Sequence, residues 1–181
     1  MMLGDLVTWE KVKAILSLDD NEQDKVEFLI SASSSQAEKI ADRILAARDV
    51  DITLDAHGGR EYLLPSYPIN NTVMVRVYDN ELQPNEYSVK SQDGRLRFKY
   101  LTPNGWDAIN FKGNIGYNPI PEDLQQAVIE TISANLRRFA TSGGLVGVKA
   151  MSANGAVTTQ YELDLPMSAR SVFLSYRGVR V

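Results

Sequence analysis

Hydrophobic positions recur at three- and four-residue steps toward both ends of this chain and at two-residue steps between them. Near the start, Trp9, Val12, Ile15 and Leu16 follow Thr8, a residue type that accepts from a free backbone N–H at a helix N-terminus, so a short amphipathic helix is predicted there. From Glu22 to Arg48 neither Gly nor Pro interrupts a stripe of Val26, Leu29, Ile30, Ser33, Ala37, Ile40, Ala41, Ile44 and Leu45. At about 1.5 Å per residue that helix spans roughly 40 Å. Its middle, SASSSQA, is small and polar, which suits close approach of another helix.

After Val50 the period falls to two. Ile52, Leu54 and Ala56 alternate toward Gly58 and Gly59, predicting two short strands joined as a hairpin. TVMVRVYD is the clearest strand, and YSVK, RLRFKY and AINFKGNIGY follow with turns between them. The helical period returns at Pro121, Glu122 and Asp123, a first turn suited to free N–H groups, with Leu124, Val128, Ile132 and Leu136 as its apolar row. TSGGLVGVKAMSANGAVTTQ then reads as a flexible loop or arm, and Pro166 opens a short helix through Ser175 ahead of a basic tail, YRGVRV. Each helix has one apolar stripe and too few partners in its own segment. The expected fold class is therefore α+β: a helical core of two long helices with short N- and C-terminal helices (1–50 and 117–181), into which a small, mainly antiparallel β unit (51–116) is inserted.

REYLLPSYPI, residues 60–69, lies within that unit. Pro65 and Pro68 lack the N–H that regular strand pairing uses, so the segment is expected to form a rigid extended corner, with Leu63, Leu64 and Ile69 inward and Tyr62 and Tyr67 outward, toward a neighbouring subunit.

Composition removes most chemistries. Cysteine is absent and His57 is the single histidine, which excludes thiolate catalysis and the Cys/His clusters of zinc sites. One imidazole in a Gly-rich turn reads as a surface residue, so no enzyme is expected. Walker, dinucleotide-binding and nucleophile-elbow patterns are missing, and DDNEQD lacks the central Gly and terminal Glu of a calcium loop, so no cofactor or metal is expected. No window reaches the roughly 18 apolar residues that cross a bilayer, and the start has no basic segment ahead of a long apolar run, so a soluble, unexported protein with no membrane partner is expected.

The net charge of −4 is uneven: residues 1–30 hold seven acids and three lysines, whereas residues from Pro121 onward hold five acids and six bases. These ends either complement each other between copies or are two solvated ends. Arg95, Arg97 and Lys99 alternate with Leu96, Phe98 and Tyr100, which places the cations on one face of a strand. That face is read as the solvated side of a sheet, with a ligand or nucleic-acid surface as the alternative.

The order of these parts resembles the head-tail connector (adaptor, or head-completion) proteins of tailed bacteriophages. The resemblance rests on YLLPSYPI before a valine-rich strand, Tyr87 and Val89 in the next, DGRLRF, a Trp-containing turn, GYNPIPEDLQQAVIE and a late LPMSARSVFLSYR, and it covers nearly the whole chain. It implies a non-catalytic ring between the portal protein and the tail or stopper protein, monomeric or not when alone, that conducts DNA without gripping it, in the virion neck. It further implies a C-terminal segment placed against the portal, here Arg170, Tyr176, Arg177 and Arg180.

Overall fold

The computed structural model describes residues 4–141, 150–153, 157–160 and 165–178. Helix α1 (Trp9–Leu16) starts where Thr8 accepts from the Lys11 backbone N–H at 3.3 Å and stops at Ser17, whose φ of 53° is left-handed. After a single 3₁₀ turn, α2 (Gln23–Ala41) follows. Strands β1 (Arg48–His57), β2 (Glu61–Leu63), β3 (Ile69–Val77), β4 (Asn80–Glu81), β5 (Tyr87–Lys90), β6 (Arg95–Phe98) and β7 (Asn104–Ile115) come next. Helix α3 (Glu122–Thr141), strands β8 (Ala150–Ala153) and β9 (Val157–Gln160) and helix α4 (Met167–Ser175) complete the described chain.

Among the described residues the chain divides into two compact units, Met1–Ile40 with Pro121–Tyr176, and Ala41–Ile120 with the residues from Arg177 on. In the first, Val26, Leu29, Ile30 and Ala37 of α2, Leu124, Val128 and Ile132 of α3, Val12 of α1 and Phe173 of α4 are buried. The serine-rich middle of α2 does receive a close neighbour, but it is an extended segment: Ser34 Oγ accepts from Leu6 N at 3.0 Å and Ser31 Oγ donates to Asp5 at 3.0 Å.

The second unit corrects the expected fold. It is not a small appendage to a helical core but a β-sheet core of its own. A four-stranded sheet in the order β1-β7-β3-β4 and a three-stranded sheet in the order β2-β6-β5 both send side chains into one apolar cluster. Phe111, Ile109, Ile115 and Val75 enter from the first sheet, and Tyr62, Leu96 and Phe98 from the second. Strands of 10, 9 and 12 residues build the larger sheet, so the alternating segments are neither short nor peripheral. Each contributes only every second residue to the interior, and the core becomes large because two inner faces meet.

The predicted hairpin across Gly58 and Gly59 is not formed. β1 pairs antiparallel with β7, Arg48 opposite Ile115 and Ile52 opposite Phe111, while β2 pairs with β6. The predicted long helix also ends early. Asp42 turns left-handed at φ 54°, and the chain beyond it is extended: Leu45 O accepts from Tyr117 N at 2.7 Å. Of the last stripe residues, Leu45 is buried and Ile44 half-buried, within the β unit rather than on a helix. Within the Gly-rich stretch, β8 and β9 pair antiparallel, Ala150 opposite Gln160; its other residues, 142–149 and 154–156, lie outside the described ones.

The outer face of the larger sheet is a polar ladder. Asp51 accepts from Asn110 at 2.6 Å and from Lys112 at 2.8 Å, and Asp49 accepts from Asn114 at 2.8 Å. The Lys112 bond, helped by Asn110, holds the Asp51 carboxyl below its ordinary value of 3.8.

Two predictions follow from this packing. Val128→Asp places an unpaired charge where the wild-type side chain is fully buried, and Phe111→Ala empties the centre of the β core at a cost of about 3–5 kcal/mol; each should lower the melting temperature sharply in calorimetry. For Asp51, whose folded pKa is depressed, the stabilisation is complete above the ordinary carboxylate value and is lost as pH falls through the lower folded one. Asp51→Asn should therefore remove part of the acid limb of the stability-versus-pH curve and leave the curve's shape above pH about 5 unchanged.

Candidate functional site

Among the described residues no group of three or more His, Cys, Asp and Glu side chains could hold a metal ion, and no described helix is long and apolar enough to cross a membrane. His57 is exposed and leans on the Tyr62 ring, with centroids 4.5 Å apart. No nucleophile stands beside it with a hydrogen bond among the described contacts, so the geometry here supports packing rather than acid–base work.

The most organised constellation centres on Arg43, 8% exposed, just after α2. Its guanidinium donates to Tyr67 O at 3.2 Å and to the Tyr117 hydroxyl at 2.9 Å. It lies 4.1 Å from the centroid of the Tyr67 ring and 5.4 Å from that of Tyr117. Alongside, Ile44 N donates to the buried Ser66 hydroxyl at 2.9 Å. The segments so joined are LPSYPI and GYNPI, and each contains a cis proline bond, Tyr67–Pro68 and Asn118–Pro119. A planar, always-charged group can stack and donate at the same time, which suits arginine here better than lysine.

Within the corner, burial alternates from Glu61 to Ser66 and breaks at Tyr67 and Pro68. Tyr62 is 5% exposed, packed edge-on against Phe98 at 5.6 Å; its hydroxyl bonds that of Thr102 and accepts from His57 N at 3.2 Å. Thr102 in turn donates to Gly59 O at 3.0 Å. The outward placement of Tyr62 is thus corrected: its polar tip is satisfied inside the β unit. Tyr67 is half-buried under Arg43, Leu64 and Ile69 are buried as expected, and Leu63, 37% exposed, faces out instead of in.

The C-terminal residues are placed differently from one another. Arg170 is exposed on α4, and Tyr176 donates to both oxygens of Asp123 at 2.7 and 2.9 Å, all within the helical unit. Arg177 is exposed and belongs to the β unit, whereas Arg180 lies outside the described residues. Arg95 and Arg97 are exposed on the outer face of β6, with Arg97 3.4 Å from Glu61; Lys99 falls just past the strand, 5.5 Å from the Tyr100 ring centroid.

Trp106 is 86% exposed at the bulge where β1 and β7 lose register between Leu54 and Ala56. Asp107 takes a φ of 50°, and its N–H donates to Asp55 at 2.8 Å, which fixes the bulge. Tyr78, Tyr100 and Leu101, all exposed, line one shallow depression beside it, and Tyr78 donates to Asn104 O at 2.9 Å. The available signal was a tryptophan set among Asn104, Gly105 and Asp107, too polar a surrounding for a core residue.

The described residues thus form one unit in which two sheets share an apolar cluster and another built on helices, with several aromatic side chains exposed. A family profile described as "Head completion protein" matches residues 5–179, and the chain belongs to that family. A search of curated proteins finds no match. Three solved structures share the fold. One chain in the neck of an empty gene transfer agent (GTA) particle, computed with C6 symmetry, aligns with a TM-score of 0.61 at 16% identity over 88% of this chain and 81% of that one. A chain from the neck of the native GTA particle, computed with C12 symmetry, aligns with a TM-score of 0.59 at 16% identity over 100% and 97%. A chain from the virion of the native GTA particle gives 0.57 at 17% identity over 88% and 80%.

Replacing Arg43 tests the constellation directly. Arg43→Met removes the charge and both donors while keeping much of the volume, and should cost about 2–3 kcal/mol in chemical denaturation, with Arg43→Lys recovering only part.

Proposed function

We propose that this head completion protein acts as a structural adaptor, assembling as a closed ring in the neck of a tailed-phage-like particle. The ring stands between the portal protein and the tail or stopper protein, and conducts DNA without catalysis. The observation that carries this reading is the family match across residues 5–179, and the alignment of the whole chain with a neck component computed with C12 symmetry supports it. The acidic net charge agrees with it as well, because sequence-independent grip on DNA comes from Lys and Arg neutralising phosphates, and this chain has an excess of acids. On this reading the chain is made in the host cytoplasm and is incorporated into the virion neck. The portal-facing surface includes Arg170, Tyr176, Arg177 and Arg180.

Purified chain mixed with its cognate portal should give ring-shaped complexes in negative-stain images and one high-mass species by native mass spectrometry. Arg170→Glu with Arg177→Glu should weaken that complex while leaving the melting temperature unchanged, since both side chains are exposed. Absence of any association with portal at high concentration would sink the adaptor reading.

A further inference from the structure

A ring built from one kind of chain needs two different faces that fit each other, because a head-to-tail contact closes only if face and counter-face are distinct. Resting on the ring reading above, we propose that the outer face of the β2-β6-β5 sheet docks into the groove between the N-terminal segment and α2 of a second copy.

The sheet face is rich in cations and exposed: Arg97 has Glu61 and Lys90 has Asp93 as neighbours in the same unit, and no described element covers the face. Its alternating outward positions are Glu61 and Leu63 on β2, Arg95 and Arg97 on β6, and Ser88 and Lys90 on β5: three cations, one carboxylate and one exposed leucine. Register puts Arg95 between Leu63 and Lys90, so an apolar side chain sits among the positive charges.

The groove has the opposite character. It encloses ≈ 590 Å³ and carries Asp5, Glu10, Asp24 and Glu27 along its lining, with no lysine or arginine among the lining residues. Phe28 opens into it 70% exposed, and Trp9 is half-buried there. A large aromatic ring exposed among carboxylates is matched by a surface that brings an apolar side chain together with cations. The basic sheet face carries both. Charge complementarity of this kind sets the register and speeds encounter, while the apolar pair excludes water between the charges.

Nucleic acid is the competing occupant of the sheet face. The exposed Leu63 beside Arg95 offers an apolar contact that a phosphate backbone does not use, which favours a protein surface.

Because the chain has no cysteine, single thiols report on this contact without background. Ala32→Cys marks the groove and Ser88→Cys marks the sheet face; both positions are exposed. The two single variants, mixed together with the cognate portal and treated with a short bis-maleimide, should give a mixed dimer, and neither variant alone with portal should. Arg95→Glu with Arg97→Glu in the Ser88→Cys chain should lower the mixed product roughly tenfold, and Asp24→Lys with Glu27→Lys in the Ala32→Cys chain should restore it. Molar salt should also reduce it, since screening then acts within about 3 Å. The same samples are imaged. Rings without the mixed crosslink overturn this pairing and leave the ring intact; neither rings nor crosslink overturns both. A crosslink without rings supports the contact and counts against closure. Duplex DNA retained at low salt by wild type and lost in the Arg95→Glu, Arg97→Glu variant, with no mixed crosslink, overturns the pairing in favour of a nucleic-acid surface.

Discussion

The β unit is organised around a cation that cannot be moved. Arg43 follows directly on a left-handed residue at the end of α2, and its guanidinium has nowhere to go but between two tyrosines. Tyr67 arrives from a proline-bounded corner and Tyr117 from the exit of the longest strand, so one side chain ties the segment entering β3 to the segment leaving β7. Burying a charge is costly unless its hydrogen bonds and neighbours are supplied, and here a backbone carbonyl, a phenol and two ring faces supply them. The Nε of Arg43 nevertheless has no protein partner, so the arrangement is held by the two terminal nitrogens and by stacking.

This constraint explains why the two motifs that carried the family resemblance lie so far apart in sequence. LPSYPI and GYNPI are about 50 positions apart, yet both serve the same guanidinium, and the Ala46–Tyr117 bridge fixes the parallel approach of the chain beside them. Their prolines read from sequence as local stiffeners. Their joint role depends on Arg43, which the helical period had assigned to the polar side of a longer helix. Periodicity could not separate these cases, because Ile44 and Leu45 continue the apolar stripe whether the chain stays helical or turns extended and buries Leu45 ahead of β1.

Much of the local structure was legible for simple reasons. Thr8 caps as its chemistry suggests, the α3 row of Leu124, Val128 and Ile132 is buried, and Arg95, Leu96, Arg97 and Phe98 alternate outward and inward. What was not legible concerns partners. Nothing in Ile52 or Leu54 names β7 as their neighbour some 55 positions later, and Gly58–Gly59 invites a hairpin that the tertiary pairing overrides. The corner was misread by a failure of parity: placing Leu63 and Leu64 both inward contradicts a period of two, and the alternation that put Leu64 inside also took Tyr62 inside. Trp106 reads from sequence only as part of a turn, because its exposure depends on a bulge in which three residues of β7 stand against Asp55 alone, and no propensity announces that.

The exposed apolar side chains are spread over several elements rather than gathered on one. Phe28, Leu63, Val73 and Trp106 belong to different elements, and none of the four adjoins another exposed apolar residue in sequence, unlike Tyr100 and Leu101. Single exposed residues of this kind do not drive aggregation, whereas a contiguous patch would. Their effect becomes large only when several are engaged at once, since each contact after the first forms at high effective concentration. By contrast, the outer face of the larger sheet binds its own carboxylates through Asn110, Lys112 and Asn114 and offers few unsatisfied groups to a partner. Among the described residues the molecule thus separates a sheet face whose carboxylates are bonded within it from elements that carry exposed apolar side chains, where a partner surface would bury area that the polar ladder does not offer.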